Sequence, residues 1–173
     1  MSASIVPYEE KFLPQIRDIF FESSTKKSFK DEAERDAFFY KYLGFYLKYY
    51  PHLAWVALDD RVLGYVVSAP ISSSEEIDTI QPHLKTFERY FSQYPGHLHI
   101  NCHHEARGKG IGGMLVAKVI QEFKTLKIAG IHIITGPDAL NKNFYKKLGF
   151  DQQAVESFQG SPILFMGKRL CGE

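Results

Sequence analysis

The chain has 173 residues, 45% of them apolar and 24% charged, and its 21 basic and 20 acidic side chains leave a formal net charge of +1. A chain of this size can bury one substantial core but leaves little room for a second domain. Near-neutral charge excludes the long-range field of a dedicated nucleic-acid binder, and no apolar run approaches the roughly 20 residues needed to span a bilayer.

In chain order, Ser4 to Tyr8 reads as a short strand. A helix follows from about Lys11 to Ser23, with Phe12, Ile16, Ile19 and Phe20 at spacings of three and four. Asp31 to Tyr50 carries an aromatic stripe of Phe38, Tyr42, Phe45, Tyr46 and Tyr49, and Pro51 stops it. Leu53 to Leu58 and Val62 to Ser68 are strand-like runs whose separation by Asp59-Asp60-Arg61 suits an antiparallel hairpin. Ile71 to Gly96 is polar, with a helix expected around His83 to Tyr94 and a turn at Pro95-Gly96.

The second half is more regular. His97 to Cys102 is expected as a strand, Gly110 to Leu126 as a helix, and Ile131 to Thr135 as a strand. Asn141 to Leu148 is a short helix with Asn141 as its N-cap, ended by Gly149 in a left-handed cap. Phe150 to Ser157 and Ile163 to Arg169 close as an antiparallel pair. This order describes a mixed sheet covered by helices.

The densest signal is Arg107-Gly108-Lys109-Gly110-Ile111-Gly112-Gly113, between the strand ending at Cys102 and the amphipathic stretch Met114 to Leu126. A strand, a glycine turn and a helix N-terminus present bare backbone N–H groups to an anion. Gly108, Gly110, Gly112 and Gly113 let the main chain approach a diphosphate where a β-carbon would obstruct it. Arg107 and Lys109 can pair with phosphates, and Arg107 can alternatively hold the loop through backbone contacts.

Arg107 to Gly112 resembles the Arg/Gln-x-x-Gly-x-Gly/Ala motif of the GCN5-related N-acetyltransferase (GNAT) superfamily. Asn141-Lys142-Asn143-Phe144-Tyr145-Lys146-Lys147-Leu148-Gly149-Phe150 resembles that superfamily's Asn-x-x-x-x-Phe-Tyr-x-x-x-Gly-Phe segment, with one residue fewer before the aromatic pair. The motifs lie about 30 residues apart with one helix and one strand between them, as the family requires. A weaker resemblance joins His97-Leu98-His99-Ile100 and the glycine loop to the acetyltransferase-like domain of some O-GlcNAc hydrolases.

The resemblance implies an α/β (α+β) GNAT fold, a twisted mixed sheet of about six to seven strands with helices on both faces. It would form a single domain over 1–173, with N-terminal helices and hairpin at 1–70, a helical insertion at 71–96 and an acyl-coenzyme A-binding half at 97–173. It implies acetyl-coenzyme A as co-substrate, held by Arg107, Gly108, Lys109, Gly110, Ile111, Gly112 and Gly113, by main-chain groups of Ile100 and Cys102 along the pantetheine arm, and by Asn141 and Phe144. By the same resemblance Tyr145 is the catalytic candidate, a phenol able to protonate the departing thiolate. Packing of Tyr145 and Phe144 against the sheet is the alternative, and capping alone would also explain Asn141.

The amine acceptor arrives protonated and needs a base. His97, His99 and Asn101 alternate onto one strand face, opposite Leu98, Ile100 and Cys102, and His99 is the candidate because its ordinary pKa lies near neutrality. A histidine hydrogen-bonded within the sheet is the competing reading. Asn101 stands where the hydrolase-associated relatives tend to carry an aspartate, which keeps open a domain that binds acyl-coenzyme A or a partner without turnover. Glu105 reads as a solvated loop residue.

No metal is expected. His97, His99, His103 and His104 with Cys102 supply zinc-type donors, but the strand sends His97 and His99 to one face and Cys102 to the other. Cys102 itself reads as a buried contact, not a nucleophile. Gly108, Gly110 and Gly113 also satisfy Gly-x-Gly-x-x-Gly, yet the fingerprint starts too late in the chain for a two-halved dinucleotide fold. Cys102 and Cys171 form no CxxC pair and the first residues lack an export signal, so a reduced, cytoplasmic protein is expected. The expected partner is a small-molecule or peptide amine; the aromatic stripe reads mostly as core, while the family resemblance implies that one or two of Tyr42, Tyr46 and Tyr49 line the acceptor site. No nucleic acid and no membrane are expected, and the chain would be a monomer or homodimer.

Overall fold

The computed structural model describes residues 3–170, so Cys171 lies outside the described residues. Among the described residues seven strands form one sheet: β1 (Ser4–Pro7), β2 (Trp55–Leu58), β3 (Val62–Ala69), β4 (Gly96–Cys102), β5 (Gly130–Thr135), β6 (Gln152–Phe158) and β7 (Ser161–Arg169). Their spatial order is β1-β2-β3-β4-β5-β7-β6. The β4–β5 pair is parallel, while β1–β2, β2–β3, β5–β7 and β6–β7 are antiparallel, so the sheet is mixed. The flanking α-helices are α1 (Leu13–Ser23), α2 (Glu32–Phe39), α3 (Phe45–Tyr49), α4 (Glu75–Ile80), α5 (Ile111–Thr125) and α6 (Lys142–Lys147).

Contacts group the chain into two compact units. One contains the residues up to Ser68 together with His99–Val119, the other Ala69–Leu98 together with the residues from Ile120 onward.

In the first unit, α1 buries Ile16, Ile19 and Phe20, the face its spacing foretells. Asp31 caps α2 by accepting from the Glu34 N–H at 2.9 Å, while the Glu34 carboxylate accepts from the Lys30 N–H at 2.6 Å. The aromatic segment is not one regular helix. A π-helical stretch, Tyr40–Gly44, separates α2 from α3. In α3, which follows it, Phe45 and Tyr46 are buried at 3% exposure each while Tyr49, the last residue of the helix, stays 47% exposed. The hairpin of β2 and β3 forms as expected, with an irregularity between Ala57 and Leu58.

In the second unit the insertion differs from its sequence reading. Ser74 caps α4, which polar composition had hidden, by accepting from the Ile77 N–H at 3.2 Å. The expected helix around His83 to Tyr94 is instead a 3₁₀ run, Pro82–Tyr90, broken at Phe87. That break accompanies a core cluster of Phe87, Tyr94 and Phe165, with Tyr90 and Phe91 packed against it. Burying these rings outweighs helix regularity. The β6–β7 hairpin turns through Gln159 and Gly160, both at positive φ (49° and 79°), as a two-residue type I′ loop requires. Gly149 takes its left-handed cap at φ +83°.

Candidate active site

In the first unit, β4 ends at Cys102, a 3₁₀ turn covers His104–Ala106, and the glycine loop then enters α5. Gly108 and Gly110 sit at φ +75° and +81°, where L residues with a β-carbon are strained. A β-carbon at either position would meet no atom of the described residues within 4 Å, so among them the space in front of the loop is open. The α5 ladder begins with the Met114 N–H on the Gly110 carbonyl at 3.1 Å. The N–H groups of Ile111, Gly112 and Gly113 precede that first bond and carry the positive end of the helix dipole. Beside them lies a cavity of about 310 Å³ lined by Leu63, Ala106, Lys109 and Ile111.

Lys109 is therefore the loop's cation at the cavity. Arg107 takes the second of its two readings: Nε donates to the Cys102 carbonyl at 3.3 Å and Nη2 to Ser23 Oγ at 3.2 Å. Ser23 has no sequence signal that singles it out. The Cys102 carbonyl is thus engaged from within the chain. Gly64 of β3 makes the close approach beside it possible, since a β-carbon there would lie 3.0 Å from both Asn101 O and Cys102 Sγ. Burial pushes the Cys102 thiol up to about 11, which keeps it protonated and unreactive.

His99, Asn101 and Tyr65 form a hydrogen-bonded group on β4 and β3. Asn101 Nδ2 donates to Tyr65 Oη at 2.8 Å and to His99 Nε2 at 3.1 Å, and Tyr65 Oη lies 3.4 Å from the same nitrogen. With its Nε2 accepting, His99 carries its proton on Nδ1. Desolvation pulls its pKa down to about 4, so the ring is neutral near pH 7. Burial drives the Tyr65 phenol the opposite way, well above its ordinary value, and Asn101 offsets this only in part. Tyr65 is 1% exposed and escaped the sequence reading, although a tyrosine within the apolar run Val62 to Ser68 is a signal of sorts. Glu105 pairs with Arg61, whose hydrogen bond and charge hold its carboxyl below the usual range.

In the second unit, Asn141 stands at the N-cap of α6 but its side chain caps nothing. The Thr135 hydroxyl donates to Asn141 Oδ1 at 2.9 Å and ties the end of β5 to the start of α6, which corrects the capping expectation. Tyr145 is 5% exposed, its ring edge-on to Phe144 at 5.0 Å and to Phe150 at 5.4 Å. Among the described residues the parallel ladder of β4 and β5 comprises two pairs, Gly96 with Ile131 and His97 with His132.

No helix among the described residues is long and apolar enough to cross a membrane. The sequence profile of the acetyltransferase (GNAT) domain matches residues 51–152, more than half of the chain. No curated protein matches it in sequence. Solved structures share the fold at low identity. The SsHAT structure is 19% identical with a TM-score of 0.75, over 99% of this chain and 100% of that one. A phosphinothricin acetyltransferase from Sinorhizobium meliloti, solved in complex with AcCoA, is 21% identical with a TM-score of 0.64, over 98% and 89%. A ribosomal-protein-alanine N-acetyltransferase from Brucella melitensis is 20% identical with a TM-score of 0.65, over 96% and 99%. With a mixed seven-stranded sheet, a glycine loop opening α5 and a matching profile, the chain belongs to the GNAT acetyltransferase family.

Proposed function

We propose that the protein transfers an acetyl group from acetyl-coenzyme A to a primary amine of a small molecule or peptide, by direct attack in a ternary complex. The observation that carries this reading is the loop itself: Gly108 and Gly110 at positive φ, with open space before them, ahead of the first N–H groups of α5. Those N–H groups, with Lys109, would hold the diphosphate. The short β4–β5 ladder supports pantetheine binding along main-chain groups near Ile100 and Cys102. The Cys102 carbonyl is the exception, since Arg107 already occupies it.

In the reaction the amine nitrogen attacks the thioester carbonyl carbon, the carbon–sulfur bond breaks, and the thiolate takes a proton. By the motif resemblance Tyr145 would supply that proton, and Asn141 and Phe144 would be further cofactor-binding residues. The amine loses its own proton before attack. For His99 to accept it, the Asn101 hydrogen bond has to give way, and the pKa near 4 makes this ring a weak base. Thiol chemistry fits a reducing cytoplasm, and a monomer or homodimer is the working assembly.

A second reading, binding without turnover, is favoured by one feature: position 101 is an amide already committed to Tyr65 and His99, and it offers no carboxylate. Mixing the protein with acetyl-coenzyme A and a panel of amines, while following free thiol, separates the two. Amine-dependent thiol release supports transfer. Binding of coenzyme A with no release for any amine supports the silent domain.

A further inference from the structure

Glu22 lies in the last turn of α1, and His103 and His104 follow β4 directly. These three side chains, from segments about 80 residues apart, each bring a potential ligand atom within 4.8 Å of the others. In an extended strand adjacent histidines would point to opposite faces. Here the chain leaves β4 and enters the turn at His104–Ala106, so both rings lie on one side, 4.3 Å between centroids and 31° apart in plane. His104 Nδ1 already hydrogen-bonds Glu22 Oε1. His103 Nδ1 accepts from the Glu105 N–H at 3.3 Å and lies 3.8 Å from Glu105 Oε2. Glu22 and His104 are exposed and His103 is half-buried, so an ion can enter from solvent.

We propose that Glu22, His103 and His104 form a surface site for one divalent transition-metal ion of the zinc type, with water filling the remaining positions. Two imidazoles and a carboxylate are a donor set that borderline divalent ions accept. Metal–ligand bonds of about 2.0–2.1 Å in tetrahedral geometry place donor atoms about 3.3 Å apart. To reach that spacing the exposed Glu22 and His104 side chains would rotate, with the ion taking the place of the proton in their hydrogen bond. The ion would tie the end of α1 to the segment entering the glycine loop, in parallel with the Arg107–Ser23 hydrogen bond between the same two segments. Its effect is a clamp on the first unit.

Equilibrium dialysis against Zn²⁺, with thermal unfolding followed in the same samples, tests the site. The expected result is saturable binding of one ion per chain and an unfolding midpoint raised by Zn²⁺, because a ligand that binds the folded state stabilises it. Glu22→Gln and His104→Gln should each abolish both effects while circular dichroism without metal stays unchanged, and His83→Ala should leave both intact. Absence of saturable binding by the wild type overturns the proposal, as does undiminished affinity in Glu22→Gln and His104→Gln. Co²⁺ gives a reading independent of the variants: intense visible ligand-field bands at one equivalent are expected, and their absence contradicts the site.

Discussion

Asn101 Nδ2 donates to His99 Nε2 at 3.1 Å and so directs the lone pair of the only strand histidine proposed as a base onto an amide. With burial holding its pKa at about 4, His99 stays neutral through the physiological range. NMR titration of its ring carbons should show no change between pH 6 and 8. Asn101→Asp should raise the His99 pKa by about 1–3 units, because a carboxylate favours the charged ring. A wild-type titration near 6.5 would contradict this environment.

His97 and His132 pair across β4 and β5, with ring centroids 5.8 Å apart. His97 Nδ1 lies 2.8 Å from Ser72 Oγ and His132 Nδ1 is 2.8 Å from the Tyr94 carbonyl, while His132 Nε2 is buried without a hydrogen-bond partner among the described residues. Desolvation lowers both pKa values, His132 to about 4, with charge on His83 acting in the same direction. The unfolded chain binds protons at these sites near pH 6.5 and the folded chain does not. Stability is therefore complete above about 6.5 and is lost as pH falls toward 4. For His132 the span of 2.5 pH units corresponds to at most about 3 kcal/mol. Chemical denaturation at pH 7 and pH 5 should show the loss, and His132→Gln should make the slope shallower. An unchanged slope in the variant would remove His132 from this account.

Tyr145→Phe keeps the ring that packs against Phe144 and Phe150 and removes only the hydroxyl. If that hydroxyl protonates the thiolate, kcat should fall by about 100-fold or more, the scale of general acid catalysis, with KM for acetyl-coenzyme A little changed. Steady-state kinetics by thiol release reads both parameters. An unaltered kcat would leave Tyr145 as a packing residue.

Much of the fold was legible because period and punctuation agreed. Glycines at 108 and 110 in a strand-to-helix loop, Gly149 after an amphipathic turn, and the Asp59-Asp60-Arg61 hairpin all declare local backbone geometry. The insertion resisted because its order comes from tertiary burial: Phe87 breaks its 3₁₀ run in a cluster with Tyr94 and with Phe165, which lies far along the chain. The π stretch at Tyr40–Gly44 was invisible to a count of threes and fours, since it changes the count itself. At the site the loop could be read directly, but its partners could not. Ser23, Tyr65 and Glu22 reach Arg107, Asn101 and His104 only through folding, and ordinary polar residues at unremarkable spacings carry no mark of it. Asn141 shows the converse, a residue at an N-cap whose side chain bonds elsewhere.

The central claim is that main chain around Gly110 holds the diphosphate of acetyl-coenzyme A, and calorimetric titration of wild type against Gly110→Asp tests it most directly. A β-carbon at 110 meets no atom of the described residues within 4 Å, so the substitution adds no clash, although φ +81° strains it locally, and it places a carboxylate in the anion's space. The account predicts an affinity lower by at least about 100-fold, from like-charge contact together with charged hydrogen bonds worth about 1.5–3 kcal/mol each. The variant's circular dichroism should match the wild type. Equal affinity in the two proteins would contradict the claim.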